Sequence, residues 1–420
     1  MTAPLAGATL TDVRLRGRWP TALLVFGPAF VTSVAYVDPG NFATNFAAGA
    51  QYGYLLVWVI VMSNLMAMVV QYLSSKLGLA TGRSLPEMCR ARLGRRTNLL
   101  LWVQAEAVAI ATDLAEFVGA ALALNMIFGI PPLQAGLITA VVAFGILALE
   151  QRGYRRFELA IIGLLAVLAA GFVYLVVVSG RQDYDALAAG LVPHLDGVGS
   201  LGLTVGIIGA TVMPHAIYLH SALPINRIQA VDAHERQLLL RYNKWDCVIG
   251  LGAAGLINLS MLCVAAVVLH GGDGTETGDL SEVHALLGVL IGPGAALAFA
   301  VALLASGFSS SSVGTYAGQV VMAGFTGWRI PLMLRRLLTM LPALVVLGLE
   351  VSPSQALVYS QIVLSFGITF ALVPLVLFTR DARLMGEMVN ARRTTVVAVL
   401  ITLVISTLNV VLIGAAVTGA

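Results

Sequence analysis

Asp38-Pro39-Gly40-Asn41 and Met213-Pro214-His215 set a carboxylate, an amide, a thioether and an imidazole beside two helix-breaking prolines. Each break falls inside an apolar run long enough to cross a bilayer. Pro39 lacks an N–H and clashes with the preceding turn, while Gly40 tolerates unusual dihedrals. The first break therefore frees carbonyls such as that of Ala35 and aims the Asp38 and Asn41 side chains inward. On the second, Pro214 frees upstream carbonyls including Ala210, and Met213 offers its sulfur. One carboxylate, one amide oxygen, two carbonyls and one thioether form a mixed hard and soft donor set. Mg²⁺ and Ca²⁺ prefer all-oxygen cages, whereas a thioether favours softer transition metals. A single negative charge is also sparse for a hard dication that must be dehydrated. The set suits Mn²⁺ or Fe²⁺, and softer ions such as Cd²⁺ are expected to fit as well. Taken singly the pieces are bland, because Met commonly fills cores and DPG is a common turn. An aspartate at mid-membrane is a functional site by default.

The elements that must position these groups are membrane helices. Of 420 residues, 59% are hydrophobic and 11% charged, with mean hydropathy +0.91; soluble domains carry about 25% charged residues. The pattern predicts an all-α polytopic membrane protein with eleven spans, at 21–48, 53–79, 98–128, 132–150, 157–179, 199–223, 245–270, 285–324, 331–350, 354–379 and 394–418. Basic residues gather in alternate loops: Arg14/Arg16/Arg18, Lys76 to Arg96, Arg152/Arg155/Arg156, Arg227 to Lys244, Arg329, and Arg380 to Arg393. The opposite loops hold Arg181 and are otherwise acidic, with Asp183, Asp185, Asp196, Asp273, Glu276, Asp279, Glu282 and Glu350. The positive-inside rule puts the N-terminus in the cytoplasm and the C-terminus outside a plasma membrane, the inner membrane of a bacterium. Residues 1–20 lack a cleavage pattern and read as a short cytoplasmic tail.

Spans one and six carry the breaks and open two five-helix units, 21–179 and 199–379. Five is odd, so the second unit runs upside down relative to the first, an inverted 5+5 repeat. Span eleven, 394–418, is an appendage to this single transporter domain. The small-residue run Ser306–Gly314 predicts close helix packing. Cys89, Cys247 and Cys263 have no metal-ligand spacing and read as core residues.

Gly27-Pro28-Ala29 leading to Asp38-Pro39-Gly40-Asn41, with Ala210-Thr211-Val212-Met213-Pro214-His215, resembles the natural resistance-associated macrophage protein (Nramp) family. The likeness extends to Thr112-Asp113-Leu114-Ala115-Glu116-Phe117 and Gly314-Thr315-Tyr316-Ala317-Gly318-Gln319. It implies a LeuT-type fold, proton-coupled transport of manganese, and a metal held by Asp38, Asn41, Met213 and the carbonyls of Ala35 and Ala210. It also suggests Gln361 as a ligand in some conformations. Branches of the family that carry magnesium or aluminium depart from the Met or the DPGN pattern, and this chain keeps both.

Glu106, Asp113 and Glu116 of span three fall within roughly 80° of one helical face. Span nine carries Arg335 and Arg336. Charges this deep need partners or water, and the two helices can supply both. A static salt-bridge network is one reading; a proton wire is the one the resemblance supports. In the wire, Asp38 releases its proton when a dication binds beside it. His215, an imidazole with an intrinsic pKa of about 6.5, passes or gates that proton, and Asp113 and Glu116 carry it onward. His220 reads as a packing residue.

Two membrane-enzyme patterns are absent: His234-Glu235 has no second histidine for HExxH, and Gly307-Phe308-Ser309-Ser310 lacks the last glycine of GxSG. The chain is expected to be no enzyme, to need no resident cofactor and to bind no nucleic acid. Its partners are divalent metals, protons and lipid, and it is expected to be competent as a monomer. A sodium-coupled amino-acid transporter of the same architecture is the alternative, but that function does not require Asp38 and Met213 together.

Overall fold

The computed structural model describes residues 27–151, 154–225, 232–271, 279–349 and 352–418. The expected tail at 1–20 lies outside them, as do Arg152, Arg227, Asp273, Glu276 and Glu350. The described residues are helical and contain no strand. In order they form α1 (Pro28–Ser33), a 3-10 turn Val34–Val37, α2 (Pro39–Tyr52), α3 (Val57–Thr81), α4 (Leu85–Arg92), α5 (Arg95–Phe128), α6 (Pro132–Gln151) and α7 (Tyr154–Val178). Next come α8 (Tyr184–Ala189), α9 (Gly197–Thr211), α10 (Pro214–Ala222), α11 (Ala233–Val268), α12 (Leu280–Leu290) and α13 (Pro293–Thr326). The chain ends with α14 (Leu332–Gly348), α15 (Pro353–Thr379), α16 (Ala382–Met385), the 3-10 turn Gly386–Met388 and α17 (Arg392–Thr418). Eight helical stretches among them are long and apolar enough to cross a bilayer.

Both expected breaks are present. Asp38 (φ −73°, ψ 172°) and Met213 (φ −70°, ψ 124°) are extended residues between helices, and the following proline opens the next half-helix. A missing N–H costs nothing at that first position. The outer shoulder expected in the long eighth span is α12, set apart from α13 at Gly292 (φ 137°), which Pro293 follows. Three expectations are corrected: where the seventh span begins, and the loop placements of His234-Glu235 and of Lys76. The seventh begins at Ala233 rather than 245, because Asp232 caps it by accepting from the Glu235 N–H at 2.7 Å. His234-Glu235, expected in a loop, is therefore the first turn of α11. Lys76, counted with the loop charges, lies buried within α3, its amine 2.8 Å from Asn390 Oδ1.

Burial separates the centre from the rim. In the most apolar stretch of α5, 78% of residues are buried, and 72% in those of α13 and the α9–α10 pair; in α7 and α17 the shares are 28% and 22%. The rim helices carry exposed Val173, Val177, Leu403 and Val410, a surface suited to lipid. The small-residue run of α13 receives α5: a Cβ on Gly307 would lie 2.7 Å from Ala120 Cβ and 2.9 Å from its backbone nitrogen. Asp246 of α11 holds the start of α1, accepting from the N–H groups of Gly27 (3.1 Å) and Ala29 (2.8 Å).

Candidate metal site and its acid–base partners

Pro39 cannot donate to Ala35, so that carbonyl, one helical turn upstream, loses its helical partner. The N–H of Asn41 turns to Asp38 Oδ1 at 2.8 Å, which takes it away from Val37. Asp38 is thus the N-cap of α2, and the same oxygen accepts from Asn41 Nδ2 at 2.7 Å. That amide also reaches the Ala210 carbonyl at 3.0 Å, so the first break is tied directly to the second. Ala210 stands to Pro214 as Ala35 stands to Pro39, four residues before an absent donor. Met213, fully buried, is the residue before Pro214.

Gln361 of α15 joins the same place. A Cβ on Gly40 would fall 1.9 Å from Gln361 Nε2, so the side chain lies against the bare backbone of the break. The backbones of α9 and α15 also meet here: a Cβ on Gly209 would lie 2.1 Å from the Gln361 carbonyl oxygen. Asp38 Oδ2, Asn41 Oδ1 and Gln361 Oε1 are buried without a hydrogen-bond donor. An unsatisfied buried acceptor costs about 1–3 kcal/mol, and three around one break make an environment that a cation would relieve. Among the described residues no basic side chain pairs with Asp38.

The expected acid–base residues divide into two groups. His215, in the first turn of α10, has Nδ1 3.2 Å from Thr112 Oγ of α5. Thr112 commits its own proton to the Val108 carbonyl at 3.0 Å. The ring therefore donates from Nδ1, leaving Nε2, which is buried without a partner, as a proton acceptor. Asp113 and Glu116 converge on Gly314 of α13, where an added Cβ would lie 3.2 Å from Asp113 Oδ1 and 2.6 Å from Glu116 Oε2. Neither Glu116 oxygen has a well-formed hydrogen bond, although the Ser310 side chain faces the carboxylate. Arg336 stands 3.7 Å from Asp113 and is held by the Ser311 carbonyl (2.9 Å), Thr315 Oγ (2.8 Å) and the Ser311 hydroxyl. The second group is Glu106 with Arg335, an ion pair at 2.7 Å whose Glu106 side chain is 17% exposed. A buried, underbonded carboxylate pair and a wetter ion pair thus occupy successive levels of one helix.

Several contributors were not singled out by sequence. Asn258 Nδ2 donates to the Tyr36 carbonyl at 2.7 Å and Ser306 Oγ to the Val37 carbonyl at 2.5 Å. Tyr36 also accepts from Gln71 through its hydroxyl, and Gln71 Oε1 accepts from His220 at 2.9 Å. His220, read as a packing residue, therefore belongs to a polar chain joining α10, α3 and the first break. A readable signal existed for Asn258 and Gln71: uncharged amides inside apolar spans need partners within the bundle. Nothing in the sequence distinguished Ser306 from its neighbouring serines.

The family model described as natural resistance-associated macrophage protein-like matches residues 29–415. A divalent metal cation transporter, MntH, of Deinococcus radiodurans is 52% identical over 405 residues, covering 96% of this chain and 92% of that protein. The MntH of Bacillus subtilis is 48% identical over 403 residues, covering 96% and 94%. A solved structure of a mutant Eremococcus coleocola manganese transporter superposes with TM-score 0.85 at 32% identity, covering 96% of this chain and 90% of that one.

Proposed function

The chain belongs to the natural resistance-associated macrophage protein-like family, and on that premise we propose that it imports divalent transition metals by proton-coupled alternating access. Mn²⁺ is the main cargo, with Fe²⁺ and Cd²⁺ also carried. Metal-ion transport is the property its relatives share by name. The observation that carries the finer reading is the group of three donor-free buried oxygens, of Asp38, Asn41 and Gln361, at a break tied to the Met213 break. Oxygen lone pairs without donors suit a cation, and a thioether at the adjoining break suits a soft one.

In this reading Asp38, Asn41, Met213, Gln361 and the carbonyls of Ala35 and Ala210 hold the ion. Asn41 must turn its oxygen inward and release the Ala210 carbonyl, which its amide now occupies. The Asp38 proton leaves as the metal arrives. His215 passes or gates it, and Asp113 with Glu116, faced by Arg336, carry it towards the cytoplasm; Glu106 and Arg335 form the exit. The eleven spans form two inverted five-helix units of the LeuT type with a cytoplasmic N-terminus, in the plasma membrane. Spans one, two, six and seven move against the rest, as broken midplane helices allow.

The test is Mn²⁺ uptake into proteoliposomes with and without excess Ca²⁺ or Mg²⁺, comparing wild type with Met213→Ala. Wild type ignores the excess and the variant is blocked by it. Wild type that moves Ca²⁺ or Mg²⁺ as readily as Mn²⁺ would refute the donor-set argument.

A further inference from the structure

We infer that Ser306 is a positioning residue for the cargo, acting by occupying the Val37 carbonyl so that, of three freed carbonyls, only that of Ala35 is left for the ion. The inference rests on the reading that a divalent cation binds at the first break.

Ala35, Tyr36 and Val37 all lose their helical donors at that break. Pro39 has no N–H to give Ala35, the Gly40 N–H faces the Asp38 carboxylate, and the Asn41 N–H is bound to Asp38 Oδ1 at 2.8 Å. Three consecutive bare carbonyls in the interior would be an unselective oxygen cluster, open to any hard cation that prefers several oxygens. Two of the three are refilled by side chains from other helices. Asn258 of α11 donates to Tyr36 at 2.7 Å, and Ser306 of α13 donates to Val37 at 2.5 Å. No side chain among the described residues donates to Ala35, so the refilling sorts the carbonyls rather than merely satisfying them.

Ser306 is suited to this part. It is fully buried, and its hydroxyl makes no other bond among those described. Neighbouring Ser309 and Ser312 spend their hydroxyls on the carbonyls of their own helix, to Ala305 and Phe308. That local back-bonding is the ordinary habit of a helical serine. Ser306 instead reaches across 269 residues of sequence. The contact also fastens the break to α13, fixing the peptide plane two residues from Ala35.

The experiment measures Mn²⁺ and Ca²⁺ binding by calorimetry, and KM and Vmax for Mn²⁺ uptake, on the purified full chain. Ser306→Ala, Ser306→Thr and Ser306→Cys are compared with wild type, with thermal unfolding recorded for each. Losing one hydrogen bond of ordinary strength predicts that Ser306→Ala raises the Mn²⁺ Kd and KM about fivefold while Vmax holds. Ca²⁺ binding is not weakened, so discrimination narrows. Thr keeps the hydroxyl and restores wild-type values; Cys, nearly isosteric but a weaker donor, falls between and carries the same expectation if the alanine variant cannot be purified. A folded Ser306→Ala or Ser306→Cys with unchanged Mn²⁺ Kd and unchanged Mn²⁺/Ca²⁺ ratio overturns the inference. So does a Thr variant as impaired as Ala. A wild type that transports no Mn²⁺ refutes the transport reading instead, and is told apart because no variant is needed to see it.

Discussion

Gly119→Ala is the substitution that most directly probes how the acidic helix is seated on the first break. A Cβ at Gly119 would lie 2.1 Å from Pro39 Cβ and 2.4 Å from Pro39 Cγ. Carbon atoms in contact want about 3.5–4.0 Å, so α5 and the break must part by about 1.5 Å there. The proline ring has no rotamer into which it can swing away. Overpacking of this kind costs about 1–3 kcal/mol. Gly163→Ala on α7 is the control, since nothing lies within 4 Å of a Cβ there. Both variants gain about 1 kcal/mol of helix propensity, which cancels in the comparison. Gly119→Ala should therefore be about 1–3 kcal/mol less stable than Gly163→Ala, or, if the break yields instead of the helix packing, bind Mn²⁺ about 5–150-fold more weakly. Thermal unfolding in detergent and Mn²⁺ calorimetry read the two alternatives separately. If Gly119→Ala matches Gly163→Ala in both, the close seating of α5 on Pro39 has no energetic content and the reasoning fails.

Two further outcomes follow from the geometry. Glu116→Gln keeps the shape of an underbonded side chain but cannot exchange a proton, so calorimetry should find Mn²⁺ binding retained while a lumenal pH dye shows acidification lost; retained acidification would remove Glu116 from the proton route. Gly40→Ala must expel the Gln361 side chain, so Mn²⁺ uptake by Gly40→Ala should fall to the level of Gln361→Ala, with the double variant no worse than either, a non-additivity expected of residues that share one contact; simple addition would mean that Gln361 does not work through that contact.

The two breaks were legible because proline chemistry is local: a residue without an N–H must free the carbonyl four positions upstream, whatever the fold. Ala35 and Ala210 could be named from that alone, and Asp38 and Asn41 from carrying ligating oxygens beside the first break; Asp38, Asn41 and Ala210 come into hydrogen-bond contact here. The helical phase of Glu106, Asp113 and Glu116 was legible for the same reason. Which arginine meets which acid was not. Arg335 bonds Glu106 at 2.7 Å, whereas Arg336 spends its donors on Ser311 and Thr315 and stands 3.7 Å from Asp113. That choice depends on the relative height of α5, α13 and α14, which no local pattern records. Ser306 was hidden likewise, since its partner is a backbone carbonyl 269 residues away, and the amide of Asn258 signalled the need for a partner in the bundle but not that the partner is the Tyr36 carbonyl. The early start of α11 was a local signal overlooked: Asp232 followed three residues later by Glu235 is an N-terminal cap pattern.

The most direct test of coupled metal transport at Asp38 records Mn²⁺ uptake and lumenal acidification in the same proteoliposomes, under an inside-negative potential, for wild type and Asp38→Asn. Wild type should show both fluxes starting together on addition of Mn²⁺, and Asp38→Asn, lacking both the charge for the metal and the proton it displaces, should show neither. Mn²⁺ entry without acidification in wild type, or both fluxes persisting in Asp38→Asn, would contradict it.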